Sequence, residues 1–290
     1  MKSILLFPLL LASSVMAQEP DTSSALYHMQ EAEQNFARAS VTIGRNAAFV
    51  DNFAEKSVIF TDKWIDNAKQ FWQGHKALPI VLKWEPEYMD ISDSRDFGIS
   101  TGPWEVQEYR PNTSTLSTGY FLTVWKMQSD GVWQVILDAG SPTPPPTGTL
   151  HTFSFPSGAD KVIPKPPKLN TESFSNELLE RENQILTAWE KSPTTSIYFT
   201  FLDPDIRMQR NGHLPTGNRD TINLWIANMN NTLTWHSSGS EAASSGDLGY
   251  TYGILERPAN PVESRGHYVR IWKKHPGGKW NIILEMFNLD

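Results

Sequence analysis

Two acids stand out for what their position could let them do. Asp138 and Glu285 each close a short apolar run, Trp133-Gln-Val-Ile-Leu-Asp138 and Trp280-Asn-Ile-Ile-Leu-Glu285. A carboxylic acid carried by a strand into apolar surroundings has its charged form penalised, and it becomes a general acid or base near neutral pH. Strict alternation puts Gln134, Ile136 and Asp138 on one face of such a strand and Trp133, Val135 and Leu137 on the other. If the first face lines a pocket, Asp138 and Glu285 are the candidate catalytic bases; if it faces water, they are ordinary strand-end carboxylates. Beside them, Arg270 stands where the first run has Thr123, and it would bind an anion or pair with a carboxylate. Trp84 and Trp235 are candidate ligand-binding walls, with core packing as the alternative for each.

These residues come in pairs because the chain repeats. An offset of 147 residues matches Gly119 to Gly266, Trp125 to Trp272, Lys126 to Lys273, Trp133 to Trp280 and Asp138 to Glu285. Each copy is two β-branched and aromatic runs around a Gly-bearing turn, the signature of a β-hairpin. Earlier landmarks recur in the same order: Glu31 and Glu33 as Glu180 and Glu182, Phe36 as Ile185, Trp84 as Trp235, and Asp96–Gly102 as Asp247–Gly253. In each copy helices precede a meander of strands. The expectation is α+β, with an antiparallel sheet in each half.

The first helix is expected from about Leu26, with Met29, Ala32, Phe36 and Ala39 on its inner face and Glu31 and Glu33 outside. A short helix follows at about Asn46–Phe53, then a strand at Ser57–Phe60, then a helix over Asn67–Leu82 broken at Gly74. Strands follow at Tyr88–Ile91 and from Asp96, with turns at Asp93-Ser94 and Pro111-Asn112. Eight of the twenty prolines fall between Ser141 and Asn170, so residues 142–171 read as a semi-rigid linker, with His151–Phe155 as a small strand laid across a domain. The domains are then 26–141 and 172–290.

Residues 1–17 have the three parts of a secretory signal peptide: Lys2, an apolar run from Ile4 to Ala12, and Val15-Met16-Ala17 before Gln18. The expected destination is periplasmic or secreted, with no membrane association after cleavage. There is no cysteine, so neither disulfides nor thiolate metal sites form. A formal net charge of −7 without a basic run argues against nucleic acid as a partner. The seven histidines lack metal-ligand spacing, and Gly277-Gly278 sits in a hairpin turn rather than a phosphate-cradling loop, so no metal or cofactor is expected.

A Trp before a strand, then Gly246-Asp-Leu-Gly-Tyr-Thr-Tyr-Gly253, then Gly266-His-Tyr-Val-Arg-Ile-Trp-Lys273 and Trp280-Asn-Ile, resembles the SnoaL-like group of the nuclear-transport-factor-2-like superfamily. The first copy departs from this form with Arg95 and Phe97 for Gly246 and Leu248. The resemblance implies a cone in each half: a strongly curved antiparallel sheet wrapped on the N-terminal helices, with a pocket at the open end. Many relatives dimerise through the outer sheet face, so two such domains in one chain would make an internal pseudo-dimer, or support a homo-oligomer through sheet faces.

Relatives of this kind include isomerases, dehydratases, epoxide hydrolases and cyclases. The ketosteroid isomerase pattern would place its Asp near Thr61 or Asp62 and near Gln209, and its Tyr near Phe36 and Ile185, where the donor is missing. The Arg-x-Asp tripeptide of the epoxide hydrolases is absent. Dehydratase chemistry asks for a His–Asp pair with tyrosines, which the second copy supplies as His236, His267, Asp247, Tyr250 and Tyr252. His236 is therefore a further catalytic candidate and Tyr250 a ligand-binding one. The relatives' patterns fail residue by residue, which favours a module binding a small apolar molecule or a protein partner. The alternative is a lyase, isomerase or hydrolase acting on a hydrophobic ring compound, with the second cone the preferred location.

Overall fold

The computed structural model describes residues 21–60, 64–109, 114–146, 153–161, 171–229, 233–257 and 264–289. The signal-peptide reading of 1–17, Thr61 and Asp62, the turn at Pro111-Asn112, and His151 and Thr152 lie outside these residues.

The first half opens with α1 (Ala25–Thr42), whose start is fixed by the Ser24 hydroxyl accepting the Tyr27 N–H at 3.1 Å. Its buried stripe is Leu26, Met29, Glu33, Phe36 and Ser40. Glu33, expected outside, points into the core. It is four residues from Met29 and three from Phe36, so helical geometry puts it on their face. Then come α2 (Arg45–Asn52), β1 (Phe53–Phe60), β2 (Trp64–Asp66), α3 (Ala68–Gly74), β3 (Ile80–Trp84), β4 (Tyr88–Ile91), β5 (Phe97–Glu108), β6 (Thr115–Met127) and β7 (Trp133–Pro142). The helix expected to reach Leu82 ends at Gly74, because Ile80–Trp84 pairs with β5 as an edge strand. Pro86, which lacks an N–H, separates β3 from β4 along that edge.

The second half follows the same plan: α4 (Thr171–Lys191), α5 (Thr195–Phe199), β8 (Leu202–Arg210), β9 (His213–Thr216), α6 (Arg219–Met229), β10 (Thr234–Ala242), β11 (Leu248–Arg257), β12 (Ser264–Lys274) and β13 (Trp280–Leu289). The sheets run β3-β5-β6-β7-β1-β2 and β10-β11-β12-β13-β8-β9, one order repeated. Pairing is antiparallel except where β1 meets β7 and β8 meets β13, which run parallel.

A β-bulge at the same place in both halves decides which side chains enter the cone. Trp125 faces Val135 while Val124 faces Leu137, leaving Ile136 extra; Trp272 faces Ile282 while Ile271 faces Leu284, leaving Ile283 extra. An extra residue reverses the alternation. Trp133 and Val135 therefore share the cone side with Asp138, and Leu137 and Ala139 turn outward. The strict alternation expected from sequence fails at this bulge.

The outward faces pack on each other. Leu122, Val124 and Leu137 join Val269, Ile271 and Leu284 in one apolar seam, and each of the first three is the counterpart of one of the second. Polar contacts around the seam are paired in the same way. Lys126 meets Glu241, and Lys273 meets Asp90 at 2.6 Å, while the Ser94 and Ser245 hydroxyls bond to each other at 2.8 Å. Ser141 donates to Asn288, its own counterpart, at 2.6 Å. Residues 153–161 of the linker pack on the first half: Phe155 is buried in its core, and the Ser154 N–H donates to the Glu87 carbonyl at 3.0 Å.

Candidate functional site

Equivalent positions in the two cones hold different chemistry. In the second, Arg270 on β12 is wholly buried, its guanidinium shared between Glu182 of α4 and Glu285 of β13. The Arg270 Nε donates to Glu285 at 2.8 Å and another nitrogen to the Tyr198 hydroxyl at 2.7 Å; the Tyr198 hydroxyl donates to Glu285 at 2.5 Å. Arg210 adds a second cation on Glu285. The guanidinium lies 4.8 Å from the Trp235 ring and 4.9 Å from that of Tyr268. Burial alone would raise the Glu285 carboxyl, but Arg210 and Arg270 hold it below its ordinary value. Burial opposes the Arg270 charge, and the carboxylates of Glu182 and Glu285, with the Tyr198 phenol, reverse that and hold it protonated. Glu285 is thus committed to structural cations and is no general base, and Arg270 is engaged by both acids and by Tyr198.

In the first cone Thr123 replaces Arg270. Its hydroxyl donates to Asp138 at 2.8 Å, and among the described residues no cation meets Asp138. Glu33 is buried without a cation as well; it accepts Trp84 Nε1 at 2.6 Å, Trp125 Nε1 at 2.8 Å and the Ser100 hydroxyl. Burial raises the Glu33 carboxyl, against these three hydrogen bonds. Burial also pushes the Asp138 carboxyl up to about 7; the Thr123 hydrogen bond opposes this and the charge of Glu33 reinforces it.

Asp138 and Thr123 line a cavity of about 190 Å³, walled by Phe36, Phe49, Trp84, Trp104 and Phe121. Gly140 is its third β7 residue, and a side chain there would press on the Trp104 indole, whose Nε1 lies 3.3 Å from an added Cβ. The second cone carries Phe287 at the place of Gly140. A cavity of about 310 Å³ at that cone's mouth is lined by Arg210, Trp225, Arg257 and Phe287, and neither Arg270 nor Glu285 reaches it. A larger cleft, about 630 Å³, opens between the halves beside Tyr88 and Arg207, again without Asp138 or Glu285.

The other sequence candidates fall elsewhere. His236 is on the exposed side of β10, 3.7 Å from Glu256, and does not meet Asp247. Asp247 accepts the Asp93 N–H at 3.0 Å across the seam, a turn role like that of Asp96. Tyr250 is buried in the seam, stacked on Phe97 at 6.2 Å, and is not a cone wall. His267 stacks on Phe60 at 4.4 Å, and burial lowers it to about 4, so it is neutral at physiological pH. Trp235 belongs to the second core, while Trp84 serves both as core and as cavity wall. Glu33, Glu182 and Gly140 were missed by sequence reasoning. The helical spacing of the two acids and the Gly140/Phe287 mismatch were the signals that carried them. Among the described residues no cluster of side chains is arranged to hold a metal.

No protein-family model matches the sequence, and no curated protein matches it. Solved structures align with part of the chain. One is an NTF-2-like protein of unknown function from Shewanella oneidensis MR-1, 15% identical over 40% of this chain and 98% of that one, TM-score 0.33. Another is a nuclear transport factor 2-like superfamily protein from Salmonella enterica serovar Typhimurium, 16% identical over 44% and 96%, TM-score 0.34. A putative ketosteroid isomerase from Shewanella frigidimarina is 18% identical over 38% and 92%, TM-score 0.30. The fold assignment rests on the strand order and register themselves.

Two outcomes follow from the electrostatics. Arg270→Thr leaves Glu182 without a cation in the second core and Glu285 with Arg210 alone, and urea denaturation should show a loss of about 3–5 kcal/mol, the usual result of breaking a buried pair. Asp138, whose folded value lies above its unfolded one of 3.8, contributes stability that is complete below about pH 4 and lost as pH rises toward 7. Urea denaturation from pH 4 to 8 should therefore show the native chain losing ground to Asp138→Asn, with a slope of at most about 1.4 kcal/mol per pH unit.

Proposed function

We propose that the chain is an exported tandem protein of the nuclear-transport-factor-2-like, SnoaL-like kind, which binds a small and mostly apolar molecule in its first cone. The observation that carries this is the aromatic cavity over Asp138, present in the half where Thr123 and Gly140 replace the filling residues Arg270 and Phe287. Pockets for small molecules are typically apolar, with a few convergent polar groups that fix orientation. Asp138 and Thr123 supply such a pair here.

The second half is a structural partner, pressed against the first through the outer sheet faces as an internal pseudo-dimer. The repeated strand order and the paired contacts along the seam support that reading. The apolar run from Ile4 to Ala12 supports export to a periplasmic or extracellular destination.

One observation favours a second reading. A carboxyl held near 7 can give and take a proton at physiological pH, which suits a lyase or isomerase acting on a ring compound. Turnover would then depend on Asp138, whereas binding alone would tolerate Asp138→Asn.

Trp84 and Trp104 line the cavity, so an occupant should quench intrinsic fluorescence. Titration of the native chain with a small aromatic probe such as benzyl alcohol should give saturable quenching, and Gly140→Phe, which introduces the second cone's plug, should abolish it with the circular dichroism spectrum intact. Equal quenching in Gly140→Phe would refute the site.

A further inference from the structure

The second cone displays, with one of its own side chains, the kind of group the first cone lacks. The Arg270 guanidinium lies between the carboxylates of Glu182 and Glu285 and against the rings of Trp235 and Tyr268. Each of these surroundings has a counterpart in the first cone. Glu33 stands for Glu182, Asp138 for Glu285, Trp84 for Trp235 and Phe121 for Tyr268. The counterparts are in place: Glu33 bonds to Trp84, Asp138 is opposite Thr123 on the paired strands, and Phe121 is on the same strand as Thr123 and two residues before it. Among the described residues only the cation has no counterpart, and the cavity lies beside Thr123 and Asp138.

We infer that the first cone takes an organic cation: a primary ammonium, amidinium or guanidinium group on a small apolar body, with its charge on Asp138 and its body among Trp84, Trp104 and Phe121. This deepens the proposed function and rests on the reading of the cavity as a ligand site. A cation over a desolvated aromatic face is attracted by the ring's negative face, most strongly over Trp. Asp138 accepts one hydrogen bond from Thr123 and meets no cation among the described residues, so a charged donor adds a charge-assisted bond without displacing an existing pair. The chain already stabilises this arrangement in its other half, where the tethered guanidinium satisfies both acids.

A neutral ligand leaves that logic unused. It would sit beside a carboxyl that burial and Glu33 favour in the protonated form, and it would gain from neither acid's charge. A cation instead favours the ionised carboxylate. Its binding therefore releases the carboxyl proton to solvent when the free protein holds one. The groups facing Asp138 are Thr123 from β6 and Glu33 from α1; Glu33 keeps its own three donors throughout.

The test compares two probes of one shape on the full chain, benzylamine and benzyl alcohol, by fluorescence titration and by calorimetry in two buffers. At about pH 8 the amine should bind about tenfold tighter or more, the size expected of a desolvated cation–π contact. Below pH 7 its binding should release protons, seen as a dependence of the heat on the buffer's ionisation enthalpy. Asp138→Asn should remove both the preference and the proton release while the alcohol still binds. Thr123→Arg should fill the site with a tethered guanidinium and block the amine. If the alcohol binds as tightly as the amine, the cation assignment is wrong and the cavity remains a ligand site. If neither probe binds the native chain, the assignment and the binding reading fall together. If Asp138→Asn keeps the full preference, the charge is met elsewhere and the assignment fails.

Discussion

A carboxylate enclosed by apolar side chains must be given a cation, given hydrogen bonds, or left protonated. Each half of this chain brings two acids into its cone, one from the first helix and one from the last strand. The second half satisfies both with Arg270, reinforced by Arg210 and Tyr198. In the first half no cation meets either acid among the described residues. Glu33 is held by indole and hydroxyl donors and Asp138 by one threonine, so Asp138 keeps a carboxyl that titrates near neutrality beside open space. Two exchanges, Thr123 for Arg270 and Gly140 for Phe287, separate a filled core from a cavity that offers a charge.

The sheets supply the rigidity that lets this difference persist. Each cone needs its inner face free for aromatic side chains, so the outer face must be covered by something else. Here it is covered by the other half, through residues that are counterparts of one another. The bulge at Ile136 and Ile283 serves both demands. It turns Leu137 and Leu284 toward the seam while leaving Asp138 and Glu285 on the cone side. Without the bulge, the phase set by Trp133 would send Asp138 into the seam, away from the cavity.

Much of this was legible in the sequence. The repeat pointed to two sheets of one strand order, and helices before a run of strands announced the α+β class. Asp138 and Glu285 were recognisable from their shared position. Other features were not, for physical reasons. A bulge has no signature in an apolar run such as Val135-Ile136-Leu137, so the faces came out reversed at Trp133. Glu33 was placed outside because an acid on a helix is normally solvated, although its spacing from Met29 and Phe36 put it on the buried stripe. His236 and Tyr250 lie on β10 and β11, and only the packing of sheet on sheet sends Tyr250 into the seam and leaves His236 in solvent. The cavity depends on what the opposite wall carries, and Gly140 against Phe287 becomes informative only once both strands face their cones.

The two strand-end acids contrast within one molecule. Carbon-detected NMR titration of the side-chain carboxyls of Asp138 and Glu285 reads both in the same sample. The predicted result is an Asp138 midpoint near 7, while Glu285 titrates below its ordinary value. Coincident midpoints in the ordinary carboxylate range would contradict it, because the two cones would then offer the same environment to a charge.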